Sequence, residues 1–518
     1  MDKEIKDLLK QQFNQNLTTN IETIEKVLDK SSDLVKRDFV IHGTSNLRAV
    51  CYFTDGLVDK LQVEHVLESL QYEFHKYLAT SDGYVDFENS ADSLNENLLY
   101  NSSVSTTKDL QKGIDAVLIG DALVIVDGLS EAIIIAARGY AMRSIAEPTN
   151  EQVVRGPRDG FVENLRTNTA TLRRRIRDPL FRIDSVQIGK KTKTDVGIAY
   201  IKGLASDDLV EEVKARLSNI EIDGILESGY IEELISDGPW TPFPTIQSTE
   251  RPDKAASSIL EGRVVLLIDN TPFTLLMPVS FWQFLQASDD YYYNFYIGSF
   301  FRLIRYIAFV VSLTFPSIFV MLASFHQEMI PTPLALTIAS GREVNPFPVL
   351  LEALLMEISF ELMREAGLRM PKPIGSAVSI VGSLIIGQAA VQAGLISPFM
   401  VIVVALTGIA SFAIPNYSSS FAIRLMRFPI LIASGTLGLL GFTFTIGLLL
   451  IHLISLRSFG KPYFEPFAPY EPNEFKDMFI RSPWWSMKKQ PSHVTQNTNR
   501  VGSNQMPSPP KKGEEDES

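Results

Sequence analysis

The chain has 518 residues, 45% of them hydrophobic and 21% charged, with a formal net charge of −12. That length suggests two to four domains, and the acidic balance argues against a general nucleic-acid role. A single cysteine, Cys51, excludes an intrachain disulfide and fits a reducing compartment.

Composition is uneven along the chain. Charge is dense up to Asp290 and sparse over 303–456. Residues 1–15 alternate charge with Leu and Ile and have no signal-peptide core, so the region ahead of the apolar half is expected to be cytoplasmic.

In chain order, residues 1–36 read as amphipathic helix through Ile5, Leu8, Leu9, Ile21, Ile24, Val27 and Leu28. The runs 38–42 and 47–53, with a break at Thr54-Asp-Gly56, read as strands, and 58–72 as a helix. Residues 115–119 and 122–126 read as a second hairpin ended by Asp127-Gly128, and 132–137 continues the sheet. These make a first α/β subdomain over 37–150.

After a link at Glu147-Pro148, a second α/β subdomain is expected over 156–290. It comprises a helix at 161–175, strands at 182–189 and 196–201, a helix at 207–217, a Pro-rich stretch at 238–244, and a hairpin of 262–268 and 273–277. The run 262–277 is broken by Asp269, Asn270 and Pro272, which suits a buried hairpin better than a span of about 20 apolar residues. Neither subdomain shows a convincing internal repeat. Residues 457–490 read as a cytoplasmic segment, and the tail 491–518, rich in Ser, Pro, Asn, Gln and charge, as disordered.

The clearest membrane span is 303–325, with Arg302 and Arg305 marking its start as cytoplasmic. A less apolar segment, 346–363, returns toward Arg364, Arg369 and Lys372. Residues 374–395 then run outward and 397–414 back toward Arg424 and Arg427. The last stretch, 421–456, is either one tilted span or two short ones breaking near Ser434-Gly-Thr-Leu-Gly438. Arg457, Lys461, Arg481, Lys488 and Lys489 favour two spans and a cytoplasmic C-terminus. The expected fold class is an α/β soluble N-terminal region of two small subdomains, followed by an all-α polytopic transmembrane bundle of five or six helices. Small residues, from Gly375, Ser376, Gly382, Ser383 and Gly387 to Gly435, Gly438, Gly441 and Gly447, suit close helix packing within one bundle or between subunits.

The strongest functional signal is acid inside 346–363. Glu352, Glu357 and Glu361 lie within it and Glu365 at its end. Glu357, Glu361 and Glu365 recur every four residues, so they share one helical stripe. Ionised carboxylates cannot face lipid without a cost of several kcal/mol. Either the stripe lines a cation pathway, as glutamate rings do, or the helix is interfacial, with Glu361 and Glu365 paired to Arg364 and Arg369. A second cluster, Leu172-Arg-Arg-Arg-Ile-Arg177, suits an acidic partner, anionic lipid or a solvated helix end. No P-loop, GxSxG, HExxH or CxxC motif is present and the six histidines are scattered, so no enzymatic activity, cofactor or metal is expected.

The run Glu147-Pro148, Arg155-Gly-Pro-Arg-Asp-Gly-Phe161, Glu163, Asn168 and Leu172-Arg-Arg-Arg-Ile176 resembles the A-subunit family of spore germination receptors, the GerA family. So do Gly262-Arg-Val-Val-Leu-Leu-Ile-Asp269, Pro346-Phe-Pro348, Glu352, Glu357, Phe360-Glu-Leu-Met-Arg-Glu-Ala-Gly-Leu-Arg369, Pro371, Gly375, Val381-Gly382, Gly387-Gln388 and Phe467-Ala-Pro-Tyr470. The resemblance covers roughly 30–485. It implies a multi-pass subunit of a nutrient receptor in the inner spore membrane, with its N-terminal domain on the spore-core side. Family partners are a permease-like B subunit that holds the nutrient site and a lipoprotein C subunit. Self-association into a ring, a pentamer, would form a nutrient-gated cation channel. On that reading Glu352, Glu357, Glu361 and Glu365 are candidates for the ion pathway. Arg158, Asp159, Arg173, Arg174 and Arg175 are candidates for a subunit or domain interface. The stage V sporulation AF protein shares these motifs and serves as an amplifier of germination, which is the alternative. A secondary transporter ranks lower, because no inverted repeat is seen.

Overall fold

The structure is a computed structural model that describes residues 3–29, 31–41, 47–72, 104–139, 151, 155–370, 387–472, 474–490, 500–502 and 505–507. The expected link at Glu147-Pro148, much of the expected span 374–395 and most of the tail lie outside the described residues.

The helical reading of 1–36 resolves into α1 (Lys3–Leu9) and α2 (Leu17–Leu28), and the first strand begins within that range. There follow β1 (Leu34–Ile41), β2 (Leu47–Thr54), α3 (Lys60–Tyr72), β3 (Val104–Thr107), α4 (Leu110–Ile119), β4 (Ala122–Val126) and β5 (Ala132–Ile135). The strands form an antiparallel sheet in the order β1-β2-β4-β5-β3. The Ala-Leu-Val-Ile-Val run of β4 is buried throughout because both faces are covered. On one face Leu17, Ile24 and Val27 of α2 and Leu110, Ile114 and Val117 of α4 meet Val50, Leu123 and Ile125. On the other, Val63, Val66 and Leu70 of α3 meet Cys51, Val124 and Ile133.

Residues 115–119, expected as a strand, are instead the last turns of α4. The Asp109 side chain caps that helix by accepting from Gln111 N at 3.0 Å, and Gly120 ends it in the left-handed conformation, φ 109°. Local capping outweighs the strand preference of an Ala-Val-Leu-Ile run.

The second unit contains α5 (Leu165–Arg175), β6 (Phe181–Ile188), β7 (Thr194–Ile201), α6 (Asp207–Ser218) and α7 (Ser228–Ile235). It continues through β8 (Gln247–Thr249), α8 (Pro252–Leu260), β9 (Val264–Ile268) and β10 (Thr274–Met277). Its strand order, β6-β7-β9-β10-β8, repeats that of the first sheet. Here α5 and α8 cover one face through Leu165, Leu172, Ala255 and Ile259, and α6 and α7 the other through Val210, Val213, Ile231 and Ile235.

The two units are therefore tandem repeats of one another, a relation that the reading of two α/β subdomains did not include. A constant offset of 148 positions pairs Phe13 with Phe161, Asn16 with Asn164, Leu17 with Leu165, Thr19 with Thr167, Asn20 with Asn168 and Thr23 with Thr171. The same hydrogen bonds recur. Leu17 N donates to Asp127 Oδ1 at 3.1 Å and Leu165 N to Asp269 Oδ1 at 3.0 Å. Asn14 N donates to Asn20 Oδ1 at 2.8 Å and Val162 N to Asn168 Oδ1 at 2.9 Å. Gly128 N to Gln15 O and Asn270 N to Glu163 O both measure 2.8 Å. The shared polar residues Asn16 and Asn164, Asn20 and Asn168, and Asp127 and Asp269 bond backbone groups at helix starts and turns, where one particular side chain is needed, and Phe13 and Leu17 match Phe161 and Leu165 in the two cores.

The C-terminal half holds α9 (Phe295–Ser324), α10 (Thr332–Ser340), α11 (Val349–Arg369), α12 (Pro398–Phe412) and α13 (Tyr417–Ser455). Among the described residues two helices, α9 and α13, are long and apolar enough to cross a membrane, where the sequence led to an expectation of five or six spans. Helix α12 is apolar but has only 15 residues, and α11 is interrupted by acid.

Helix α13 is not one continuous rod. Gly438 has φ 61° and ψ −138°, so the axis breaks there, at the edge of the expected Ser434–Gly438 break. Beyond it Phe442, Ile446, Leu449 and Leu453 pack in the same cluster as Ile423 and Ile430 from before the break. His452 reaches Thr241 of the second repeat, ring Nε2 to Oγ1 2.8 Å, and Ser458 Oγ donates to Thr245 O at 2.6 Å. The end of α13 thus returns to the α/β repeats.

A Cβ at Gly438 would lie 3.1 Å from Phe325, and the backbone conformation is one that L residues rarely adopt. Gly438→Ala is expected to cost about 1–3 kcal/mol. A lower thermal midpoint of the detergent-solubilised chain would show this; an unchanged midpoint would mean that the break is not needed.

Candidate functional site

Three layers of buried charge run through the molecule. The first lies in the helical half. Glu357 and Glu361 on α11 face Arg427 and Arg424 on α13. The Glu357–Arg427 pair is inaccessible to solvent, and Glu361 meets Arg424 at 2.6 Å. Arg427 Nε also donates to Ser312 O on α9 at 2.8 Å, so one guanidinium joins three helices. Residues three or four apart share a helix face, which is why both pairs form at once. Glu357 Oε1 and Glu361 Oε1 are buried without a hydrogen-bond partner. Glu352 is buried at the other end of α11, where its carboxylate accepts from Ser397 N at 3.2 Å and lies 3.4 Å from Arg342.

Glu365 is exposed and pairs with Arg369 at 2.6 Å, as the interfacial reading expected. For Glu361 the structure replaces that reading's partner, Arg364, by Arg424. Arg364 instead donates to Ser411 Oγ at 2.8 Å and lies over Phe360 and Phe412. The glutamate stripe is thus divided: Glu352 and Glu357 are enclosed within one chain, Glu361 is intermediate, and Glu365 is at the surface.

The second layer joins the repeats. Arg173 is fully buried on α5 and clasps Asp33, which precedes β1, with Nε–Oδ2 2.6 Å and Nη2–Oδ1 2.9 Å. It also donates to Ser31 Oγ at 2.9 Å and lies over the Phe181 ring. Burial alone would push the Asp33 carboxyl up, but the Arg173 guanidinium and hydrogen bonds from Arg173 and Ser31 hold it below the usual carboxylate range. Around this clamp Ser32 N donates to Ile183 O at 2.9 Å, Arg182 Nη2 to Val27 O at 3.1 Å, and Lys202 meets Asp29 at 2.7 Å. Of the predicted interface set, Arg173 joins the repeats. Arg175 pairs with Asp159 inside the second repeat, Arg174 is half-buried and Arg158 exposed. Asp33 gave no sequence signal, because its partner lies 140 residues away.

The third layer fastens α9 to the C-terminal segment. Arg302 and Arg305, read from sequence as markers of orientation, are buried on Asp290, and Arg302 also meets Asp477 at 3.2 Å. Tyr291 OH donates to Asp477 at 2.6 Å and Tyr306 OH to Met478 O at 3.2 Å. Among the described residues no group of three or more His, Cys, Asp or Glu side chains is placed to hold a metal ion.

A duplicated α/β region is followed by a helical half in which two of the described helices are long and apolar enough to cross a membrane. The family model described as Bacillus/Clostridium GerA spore germination protein matches residues 22–493, and the chain belongs to that family. It is 42% identical to spore germination protein KA of Bacillus subtilis (strain 168), over 95% of this chain and 90% of that one. It is 39% identical to spore germination protein B1 of the same organism, over 93% and 98% of the two chains. Stage V sporulation protein AF, also of B. subtilis, is 32% identical over 86% and 88%. Among solved structures, the N-terminal domain of the A subunit of the Bacillus megaterium spore germinant receptor GerK3 is 35% identical, covers 52% of this chain and 97% of its own, and has a TM-score of 0.41.

Proposed function

We propose that this chain is the A subunit of a nutrient germinant receptor in the inner spore membrane, with its α/β repeats on the spore-core side. It works with a permease-like B subunit and a lipoprotein C subunit, and five or six spans form its membrane half. Copies assemble into a ring, a pentamer, whose centre is a nutrient-gated path for monovalent cations.

The observation that supports a ring is the outer face of α11. Leu351, Leu355, Ile358 and Leu362 are exposed and recur at helical spacing, and the stripe ends on the exposed Glu365. The inner face is fixed to α13 by Glu357 and Glu361. An apolar constriction leading to an acidic ring is a common cation-channel lining. On this reading Glu365 faces the ions, while Glu352, Glu357 and Glu361 hold the helix that presents it.

Similarity to stage V sporulation protein AF supports a second reading, an amplifier. Potassium release from spores lacking this chain separates the two. The receptor reading expects release to be lost for at least one nutrient and kept for others. The amplifier reading expects slower release for every nutrient. Unchanged release throughout would overturn both.

A further inference from the structure

The second repeat carries an exposed apolar face that its own core does not use. Tyr230 and Leu234 on α7 are 43% and 53% exposed and lie four residues apart, hence on one side, and Leu226, in the segment just before the helix, is 67% exposed. Trp240 follows in the Gly238-Pro-Trp-Thr-Pro-Phe-Pro244 segment and is 96% exposed.

The neighbouring side of α7 and the segment after it lie where the helical half begins. A cavity of about 450 Å³ is lined by Gly229, Glu232 and Pro239 on one side and by Tyr417, Ser418 and Phe421 of α13 on the other. Thr241 is hydrogen-bonded to His452, close to the far end of the same hairpin. Both ends of α13 therefore emerge beside this segment, and Tyr417 and Phe421 are themselves exposed. Trp240 lies between Pro239, which lines this cavity, and Thr241, which bonds His452, so the segment that carries it sits at the junction with α13.

We propose that Leu226, Tyr230, Leu234 and Trp240 form an in-plane membrane anchor, seated among the lipid headgroups and upper acyl chains on the side of the α/β repeats. The anchor rests on the membrane location of the chain and not on the channel reading. Tryptophan favours this layer because its ring is apolar and its N–H is polar. Burial, with Glu227 nearby, pushes the Glu232 carboxyl up to about 7, so the acid on the neighbouring side of α7 is only about half ionised at neutral pH. The anchor would keep the repeat at a fixed height, so that a movement of the α13 hairpin reaches it through Thr241 and His452.

The test uses the full chain in nanodiscs of phosphatidylcholine and phosphatidylglycerol, with and without bromine on the acyl chains. Subtracting the emission of Trp240→Phe leaves Trp240 alone, since Trp282, Trp484 and Trp485 are common to both. Brominated lipid is expected to quench this difference signal. Leu226→Gln with Leu234→Gln should weaken the quenching while the other tryptophans and the thermal midpoint stay unchanged. A difference signal that bromine leaves untouched overturns the proposal. So does one that responds to protein concentration instead of bromine, which would assign the patch to a second copy or another subunit.

Discussion

Glu357→Ala is expected to deplete the folded chain, and pairing it with an apolar replacement of Arg427 to restore it. The single variant leaves the Arg427 guanidinium buried beside Ser312 with no carboxylate. Stranding one member of a buried ion pair costs about 3–5 kcal/mol, whereas replacing both by apolar groups of similar volume is often neutral or stabilising. Glu357→Leu with Arg427→Met should therefore recover most of the thermal midpoint in detergent, with a residual loss from the unpaired Ser312 acceptors. Equal stability of Glu357→Ala and wild type would show that the pair does not hold α11 against α13. Glu365→Ala, by contrast, removes an exposed pair and is expected to leave the midpoint within about 1 kcal/mol of wild type.

Asp33→Asn is expected to loosen the junction between the two α/β repeats. It removes the charge that neutralises a fully buried Arg173, so a loss of about 3–5 kcal/mol is expected in the full chain. Amide exchange along β6 should rise first, because the segment carrying Asp33 hydrogen-bonds to Ile183 on that strand. The pH dependence has a definite sign. The folded-state pKa of Asp33 is lowered, so its contribution is fully present above the unfolded value of about 3.9 and is lost as the pH falls through the folded value. The gap in thermal midpoint between wild type and Asp33→Asn should stay constant from about pH 7 to 5 and close only in stronger acid. A gap that closed between pH 7 and 5 would contradict the assignment.

Much of the architecture is legible where pattern and local chemistry agree. The β-branched runs around 47–53 and 262–268 are strands, the Asp-rich start of 207–217 is a helix, and the division into a charged half and an apolar half is visible at once. The run 115–119 deceives because its residues suit a strand while Asp109 and Gly120, outside it, make it a helix. Helices α7 and α8 and strand β8 are too short to impose a period, at 8, 9 and 3 residues. The repeat is present in the sequence but is carried by a few scattered residues, chiefly at caps and turns, so a search for shared hydrophobic runs does not see it. In the site, spacing put Glu357 and Glu361 on one face of one helix. It could not show that the opposing face belonged to Arg424 and Arg427, which the sequence marks only as the charged end of 397–414. A neutralised arginine inside a bundle reads from sequence as a solvated one.

The pairing also changes what a pore substitution should touch. Leu362 lies on the exposed face of α11, away from the buried pairs, so Leu362→Trp adds bulk to the proposed pathway without stranding a charge. The decisive measurement is the potassium current across a planar bilayer holding the chain assembled with its partner subunits, before and after nutrient. A current that appears on nutrient addition and shrinks in Leu362→Trp is the predicted result. An assembly that binds nutrient yet passes no current, or whose current Leu362→Trp leaves unchanged, would contradict a pathway along this face.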